Sequence, residues 1–226
     1  MAKFIPSDKS IYFLAEWQHL QELTDFTEEL AACVPPEGEK TKRPWECWAT
    51  LRKLKFELTD VVLDVGAQPS FIDAWIAKKV HSVLAVDNKQ FEYMHRMERL
   101  TFEEWSALLI AKAPNIKTRP MDGTDLGLPD NSFDVVISFS VLEHMIPGQD
   151  SQASAEAYRV LKPGGFFAGT VDFGVPEEGV RYCERYSKDT FRERIVNAAP
   201  WKWVAEAPDT IPTPGVRSAM VFVLEK

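Results

Sequence analysis

The 226-residue sequence predicts an α/β fold: a mainly parallel, seven-stranded sheet flanked by helices, with an antiparallel last strand and a helical N-terminal lead-in. Two observations carry this prediction. From residue 61 onward, short apolar runs rich in β-branched residues alternate with segments of helical spacing, as crossover connections of a parallel sheet require. The last two strands are joined only by PDTIPTPGV (208–216), which holds no helix, so we expect them to pair antiparallel at the sheet edge.

The first quarter of the chain differs from the rest. Residues 1–56 are predicted to form a helical lead-in or cap, and residues 57–226 the sheet domain. Apolar spacing indicates one helix over 10–33 and a second, shorter one over 45–56. Between them, VPPEGEKTKRP (34–44) is rich in charge and turn residues and is interpreted as a linker.

The sheet domain divides into seven strands and four helices. The predicted strands are VVLDV (61–65), SVLAVD (82–87), NIKTRP (115–120), FDVVISFS (133–140), FFAGTVDF (166–173), WKWVAEA (201–207) and SAMVFVLEK (218–226). Helical spacing covers 71–79, 90–112 with a break near Thr101, 151–161 and 187–198.

Composition excludes several classes of function. The net charge of −8 argues against a general electrostatic interaction with nucleic acid, which depends on clustered Lys and Arg. The four histidines are scattered and the three cysteines form no CxxC, so we expect no metal site and reduced thiols. No secretory signal and no apolar run of membrane-spanning length is visible, and a soluble cytoplasmic protein is expected.

The residues that end the predicted strands are the candidate ligand contacts. In a parallel sheet, ligands bind beyond the carboxyl ends of the strands, where strand order reverses. Asp64 and Gly66 end the first strand, and Asp87 ends the second. A carboxylate at Asp87 is suited to accept both ribose hydroxyls of an adenosine. Asp122 with Gly123 would accept from an adenine amino group, and the alternative is a plain Asp-Gly turn.

Four segments together resemble a known family. In order and spacing, DVGAQPS (64–70), AVDNK (85–89), MDGTDLGLPDNSFDVVISFSVLEHM (121–145) and YRVLKPGGFFAGT (158–170) resemble the class I S-adenosylmethionine-dependent methyltransferases, which have a Rossmann-like fold. Within that class they are similar to the small methyltransferase type 11-like family. The resemblance covers about residues 58–175 and implies S-adenosyl-L-methionine as the cofactor.

The resemblance also implies a role for individual residues. The residues implied to bind the cofactor are Asp64, Gly66 and Ala67 at its methionine part, Asp87 at its ribose with Asn88 near the adenine, Asp122 and Gly123 at the adenine, and Ser138, Phe139 and Ser140 beneath the sulfonium. The family usually shows GxGxG after the first acid, whereas Gly66, Gln68 and Ser70 occupy those positions here. We expect Ser70 to act as the N-cap of a helix that begins at Phe71.

Three residues are candidates for proton transfer. His144 and Glu143 follow the fourth strand, near the expected acceptor, and histidine often acts as a general base. The alternative is that the LEH turn is structural. Asp172, which ends the fifth strand, is the next candidate, and its alternative is a turn acid.

Two segments are candidates for the acceptor pocket. RYCERYS (181–187) places Arg181, Tyr182 and Tyr186 after the fifth strand, in a combination that suits a sugar, a carboxylate or a phosphate-bearing acceptor. The alternative is a solvated loop whose tyrosines pack down onto the protein. Trp45 in KRPWECWATL (42–51) precedes the first strand and would cover the cofactor, or else it anchors its helix to the core.

The sequence therefore predicts methyl transfer from S-adenosylmethionine to oxygen or nitrogen of a small-molecule or glycan-type acceptor. Two alternatives stay open. One is a cofactor-binding but inactive module that acts through partners, suggested by the altered glycine motif. The other is a methyltransferase acting on protein or RNA, although the acidic charge balance argues against RNA.

Overall fold

The computed structural model describes residues 3–4, 17–36, 38, 44–89, 100–174, 185–204, 209–211 and 218–226. Its strands are β1 (Lys3–Phe4), β2 (Leu54–Lys55), β3 (Val61–Val65), β4 (Ser82–Asp87), β5 (Ile116–Pro120), β6 (Phe133–Phe139), β7 (Leu161–Phe173), β8 (Lys202–Trp203), β9 (Asp209–Ile211) and β10 (Ser218–Glu225). Its α-helices are α1 (Trp17–Ala31), α2 (Pro44–Leu51), α3 (Ile72–Ile76), α4 (Phe102–Ile110), α5 (Gln149–Val160) and α6 (Lys188–Arg194), with short 3₁₀ turns at Leu142–His144 and Val196–Ala198.

The main sheet has the strand order β5-β4-β3-β6-β7-β10-β8, and β9 also pairs with β10. The pairs β3–β4, β4–β5, β3–β6 and β6–β7 are parallel. β10 runs antiparallel to β7, β8 and β9. The predicted mainly parallel sheet with an antiparallel last strand is therefore confirmed. One detail was wrong, because Asp209–Ile211, which was expected to be a plain connection, forms the additional strand β9.

Strand order reverses between β3 and β6. From β3 the chain moves outward to β4 and β5, then returns to the other side of β3 with β6. The loops that leave the carboxyl ends of β3 and β6 therefore diverge, and a crevice forms between them. This reversal places the loop after Val65 beside the loop after Phe139, although 74 residues separate these two positions in sequence.

Both faces of the sheet are buried. Successive side chains of the central strands point to opposite faces, so they enter two different cores. Val62 and Val135 point into a core formed with α1 to α4, whereas Leu63 and Val136 point into a second core formed with α5 and α6. α2 contacts both β7 and β10. The lead-in thus supplies side chains to one of the two cores of the sheet.

Several boundaries differ from their predictions. The second predicted helix ends at Leu51, and Leu54–Lys55 pairs with Lys3–Phe4 in a small separate sheet. A helix begins next to the predicted break near Thr101, where Thr101 and Glu104 form a reciprocal capping box at the start of α4. Of the predicted segments, residues 10–16, 90–99 and 205–207 lie outside the described residues. No helix among the described residues is long and apolar enough to cross a membrane.

Candidate active site

The loop after β3 turns at Gly66. Gly66 has φ +81°, and its N–H donates to the Val86 carbonyl oxygen at 2.8 Å. The N–H of Ala67 donates to the same oxygen at 3.1 Å. A Cβ atom on Gly66 would lie 2.4 Å from Cγ2 of Val141. Glycine is therefore required here for its backbone conformation and for the close packing of Val141.

Gln68, which stands where the family shows its second glycine, connects three parts of the site. Its backbone N–H donates to Oδ2 of Asp87 at 3.2 Å, and its side-chain amide donates to the Leu100 carbonyl oxygen at 3.0 Å. The side chain is 5% exposed. Gln68 thus links the first loop to the end of β4 and to the residue before the cap of α4. The sequence carried no local signal for the second contact, because Leu100 is 32 residues away.

The expected cap at Ser70 was wrong by one residue. The helix begins at Ile72, and the residue in the N-cap position is Phe71. The Ser70 hydroxyl oxygen still accepts from the Ile72 N–H at 3.1 Å. The Ser70 carbonyl oxygen accepts from Nε1 of Trp105 at 2.8 Å, so the turn is also anchored to α4.

Asp87 is held by backbone groups at the end of β4. Its Oδ2 accepts from Gln68, and its Oδ1 accepts from the Lys89 N–H at 2.9 Å. Asp87 is 7% exposed, whereas Asn88 is exposed. Each carboxylate oxygen can accept more than one hydrogen bond. The carboxylate is therefore oriented in advance, in the manner that recognition of a pair of hydroxyl groups requires.

A pair of buried carboxyl groups, Asp64 and Asp73, lies beneath the same loop. Burial raises the pKa of Asp64 well above its ordinary value, and the neighbouring Asp73 and Asp87 raise it further. Burial also raises the pKa of Asp73 to about 7, although its hydrogen bond with Asp64 works in the opposite direction. The two groups therefore share a proton near neutral pH. Asp73 was not predicted as a site residue, because its only signal is an acid inside an apolar helix pattern.

The Asp122 loop packs beside the first loop. Asp122 Oδ1 accepts from the N–H and hydroxyl groups of Thr124 at 2.9 and 2.8 Å. A Cβ on Gly123 would lie 2.8 Å from Cγ1 of Val65, which shows how closely the two loops approach. Asp122 itself is exposed, and Gly123 is buried.

The end of β6 connects the end of β3, where the first loop begins, to the neighbouring strands. The Ser138 hydroxyl donates to the Val65 carbonyl oxygen at 3.0 Å, and this side chain is 1% exposed. Phe139 is half-buried and packs against the first core. Ser140 has φ +54°, and its N–H donates to the Thr170 carbonyl oxygen at 2.9 Å. Its hydroxyl group is thereby directed toward α2.

Three buried acids, Glu46, Glu143 and Asp172, form what we call the acidic cluster. Oε2 of Glu46 accepts from the hydroxyl groups of Ser140 and Thr170, both at 3.0 Å. Oε1 of Glu143 accepts from the Asp172 N–H at 3.0 Å. The three side chains are 1–3% exposed. Glu46 was predicted only as part of a covering segment, because its contacts lie 94 and 124 residues away.

The LEH turn separates its two polar residues. Glu143 points into the acidic cluster, whereas His144 is exposed. Burial raises the pKa of Glu143 to about 8, and the charges of Asp172 and Glu46 raise it as well. Of the predicted candidates for proton transfer, the structure therefore brings Glu143 and Asp172 together and leaves His144 at the surface.

The residues predicted for the acceptor pocket are only partly described. Arg181 and Tyr182 lie outside the described residues. Tyr186 is 1% exposed, and its hydroxyl donates to Oδ2 of Asp150 at 2.5 Å. Asp150 also pairs with Arg194 at 2.7 Å. The Tyr186 side chain is thus enclosed in the core, in agreement with the alternative that the tyrosines of this segment pack down. Trp45 is half-buried and packs against the first core.

The fold and the site together define a class of protein. A parallel sheet with a strand-order reversal, a glycine turn after its first strand and a carboxylate at the end of the next strand is typical of α/β domains that bind a nucleoside cofactor. Within the described residues, no group of three or more His, Cys, Asp or Glu side chains is placed to hold a metal ion.

Comparisons with known proteins identify the domain. Residues 63–169 match the family model described as a methyltransferase domain. A probable S-adenosylmethionine-dependent methyltransferase of Mycolicibacterium smegmatis is 42% identical over 57 residues, which are 25% of this chain and 21% of that protein. An uncharacterized methyltransferase of Schizosaccharomyces pombe is 36% identical over 111 residues, which are 48% of this chain and 38% of that protein. The chain thus matches well under half the length of these relatives.

Solved structures agree with this result. The Burkholderia thailandensis 1,6-didemethyltoxoflavin-N1-methyltransferase, solved with 1,6-didemethyltoxoflavin and S-adenosylhomocysteine bound, is 18% identical. It covers 99% of this chain and 94% of its own, with a TM-score of 0.61. The predicted family and fold class are confirmed. The chain carries a class I S-adenosylmethionine-dependent methyltransferase domain, and S-adenosylmethionine, the predicted cofactor, is the cofactor of that domain.

Proposed function

We propose that the protein transfers a methyl group from S-adenosylmethionine to an oxygen or nitrogen atom of a small-molecule or glycan-type acceptor. The observation that carries the proposal is a contact between the loop that we assign to the cofactor and the turn that we assign to the acceptor. Val141, which leads into the turn bearing Glu143, packs on Gly66 of the cofactor loop. The loop of Gly66, which orients Asp87 for a cofactor, and the turn of Glu143, which is suited to face an acceptor, therefore meet at the contact between Gly66 and Val141.

The residues of the first loop fit this cofactor. Asp87 is oriented for a ribose diol, since each of its oxygens accepts from a backbone N–H group and can accept a further hydrogen bond. The close packing at Gly66 leaves no room for a side chain where the backbone turns. The Asp64–Asp73 pair places negative charge below a cofactor that is positive at both its sulfonium and its amino group. We assign Asp64, Gly66, Ala67 and Asp87 to this half of the site.

When bound, the cofactor supplies a methyl group that is already activated by positively charged sulfur. The protein's own task is to position the acceptor and exclude water, and positioning can contribute up to roughly 7–11 kcal/mol. Glu143 is placed to hold a proton from the acceptor, and Asp172 orients it through its N–H group. We assign the residues on either side of Glu143, Ser140 to His144, to the acceptor half.

The neighbouring structure supports a small acceptor. The Burkholderia protein is named for methylation of a small heterocycle, and its fold covers nearly all of this chain. Cys33 is a buried thiol without a disulfide among the described residues, which fits a reducing compartment such as the cytoplasm.

Calorimetry with S-adenosylhomocysteine tests the cofactor half. We expect saturable binding to the wild type and about 10- to 100-fold weaker binding to Asp87→Ala, because a charged hydrogen-bond acceptor is lost. Asp130→Asn, an exposed acid that pairs with Arg159, is the matched control. Unchanged affinity in Asp87→Ala would contradict the ribose assignment. Formation of S-adenosylhomocysteine with hydroxyl and amine acceptors then tests turnover, and binding without any turnover would favour the inactive module.

A further inference from the structure

Two residues that orient Asp87 also reach toward the start of α4. The N–H groups of Gln68 and Lys89 donate to separate oxygens of the Asp87 carboxylate, at 3.2 and 2.9 Å. The side-chain amide of Gln68 donates at 3.0 Å to the carbonyl oxygen of Leu100, the residue before the capping box of α4. The Lys89 ammonium group forms an ion pair with Glu103 in the first turn of that helix. Asp87 is therefore connected to the start of α4 along two separate paths.

The backbone of Lys89 is held in an uncommon conformation at this junction. Its φ of +63° lies in the left-handed region, which is unfavourable for a residue with a side chain. Such conformations persist where the surrounding contacts determine them. The N–H group of Lys89 bonds Asp87 in this conformation, and its ammonium group lies 5.1 Å from the ring centroid of Phe102 in α4. Lys89 is thus fixed at both its backbone and its side chain.

The start of α4 is itself stabilised by two exposed residues. The Thr101 hydroxyl oxygen accepts from the Glu104 N–H at 3.2 Å, and the Glu104 carboxylate accepts from the Thr101 N–H at 2.9 Å. This reciprocal cap satisfies N–H groups at the helix start and fixes its first turn. Because Thr101 and Glu104 are exposed, a substitution at Thr101 loosens the helix start without removing any group from the cofactor half of the site.

We propose that the first turn of α4 is a positioning element of the cofactor site, and that Gln68 and Lys89 transmit its position to the carboxylate of Asp87. This inference rests on the proposed function, in which Asp87 binds the ribose hydroxyl groups. Residues that support a binding group in this way keep it close to the geometry that its ligand requires. A loosened helix start should therefore weaken cofactor binding, although every group that touches the cofactor is unchanged.

A double-mutant cycle tests the inference, with the full chain and calorimetry of S-adenosylhomocysteine binding. Thr101→Ala removes the cap of α4 and should weaken binding about 5- to 10-fold. In the Asp87→Ala background the same substitution should change the affinity less than about twofold, because the carboxylate through which the cap acts is gone. The matched control is Thr190→Ala, which removes a capping box of the same kind from α6 and should leave the affinity unchanged in both backgrounds.

The two paths are tested separately in the same assay. Gln68→Met keeps the length of the side chain but removes the donor to Leu100, and it should weaken binding about 3- to 10-fold because that side chain is buried. Glu103→Gln removes the charge paired with Lys89 and should weaken binding about 2- to 5-fold, since this ion pair is partly exposed. Exchange of the two charges, Lys89→Glu with Glu103→Lys, should restore the affinity that either single variant loses.

Thr101→Ala would overturn the inference if it had no effect on affinity, the same effect in both backgrounds, or an effect that Thr190→Ala matches. Each of these results leaves the proposed function standing as long as Asp87→Ala weakens binding. Unchanged affinity in Asp87→Ala would instead remove the ribose assignment, so the two failures are distinguishable. Thermal unfolding monitored by circular dichroism verifies that each variant is folded. If Thr101→Ala does not fold, Glu103→Gln, at an exposed side chain, takes its place in the cycle.

Discussion

Replacing Glu143 with glutamine should stabilise the protein, and by an amount that grows with pH. The side-chain carboxyl group has a pKa of about 8 in the folded protein, against an ordinary value of 4.5. Between these two values the folded state keeps a proton that the unfolded state has lost. Because the unfolded state binds fewer protons, the free energy of unfolding falls as pH rises through this window. Glutamine does not titrate, so the variant is free of this loss.

The size of the effect follows from the pKa difference. Each unit corresponds to about 1.36 kcal/mol, so the full difference amounts to roughly 5 kcal/mol above pH 8 and about 3 kcal/mol at pH 7. In Glu143→Gln the side chain would retain the oxygen that accepts from the Asp172 N–H, and its amide group would offer a donor where Oε2 now has no partner among the described residues. We therefore expect no packing penalty large enough to reverse the sign.

Urea unfolding at pH 5 to 9, followed by tryptophan fluorescence, measures this prediction. The difference in unfolding free energy between Glu143→Gln and the wild type should be small at pH 5 and increase steadily to pH 8. Asp130→Asn, whose carboxyl group is exposed and paired with Arg159, should change the unfolding free energy by less than about 1 kcal/mol. A difference that is independent of pH, or one that shrinks as pH rises, would refute the reasoning.

Two further variants test the packing around the site. Gly66→Ala should lower the unfolding free energy by about 1–3 kcal/mol, because alanine is strained at φ +81° and its Cβ meets Val141. Adding Val141→Ala should relieve the clash but not the backbone strain. If the losses of unfolding free energy in the two single variants simply add up in the double variant, the contact between Gly66 and Val141 would be contradicted. Tyr186→Phe should cost about 1–3 kcal/mol, because Asp150 loses a buried donor. It should leave S-adenosylhomocysteine affinity unchanged in calorimetry, whereas weaker binding would argue for a direct role of Tyr186 at the site.

The strands and their terminal acids were predictable because their determinants are local. Val61–Val65 and Ser82–Asp87 are short β-branched runs, and a carboxylate that ends such a run must lie at the carboxyl edge of a parallel sheet. Gly66 was likewise predictable, since one glycine after the strand suffices for the turn. Thr101 marked a helix start through its own capping box with Glu104.

The acidic cluster and the role of Gln68 were not predictable, because they depend on contacts between distant segments. Glu46 belongs to a helix whose sequence indicates only an amphipathic lead-in, and its hydroxyl partners follow β6 and lie in β7. Glu143 and His144 are both polar, so their sequence does not indicate which of them faces inward. That depends on the geometry of the 3₁₀ turn that contains them. The sequence left open whether Tyr186 faces an acceptor or packs down, and its enclosed position depends on a hydrogen bond with Asp150, 36 residues away.

The altered glycine motif can now be weighed against the alternative of an inactive module. A decayed site would be expected to lose the interactions that orient Asp87. Gln68 does the opposite, because its N–H binds Asp87 and its amide group fixes the loop to Leu100. Both carboxylate oxygens of Asp87 are held by backbone N–H groups, as a ribose acceptor requires. The chain also maintains the Asp64–Asp73 pair and the buried Glu143, each at a cost in stability at neutral pH. Because these buried acids lower stability and lie on both sides of the Gly66–Val141 contact, their presence favours an active enzyme over an inactive module.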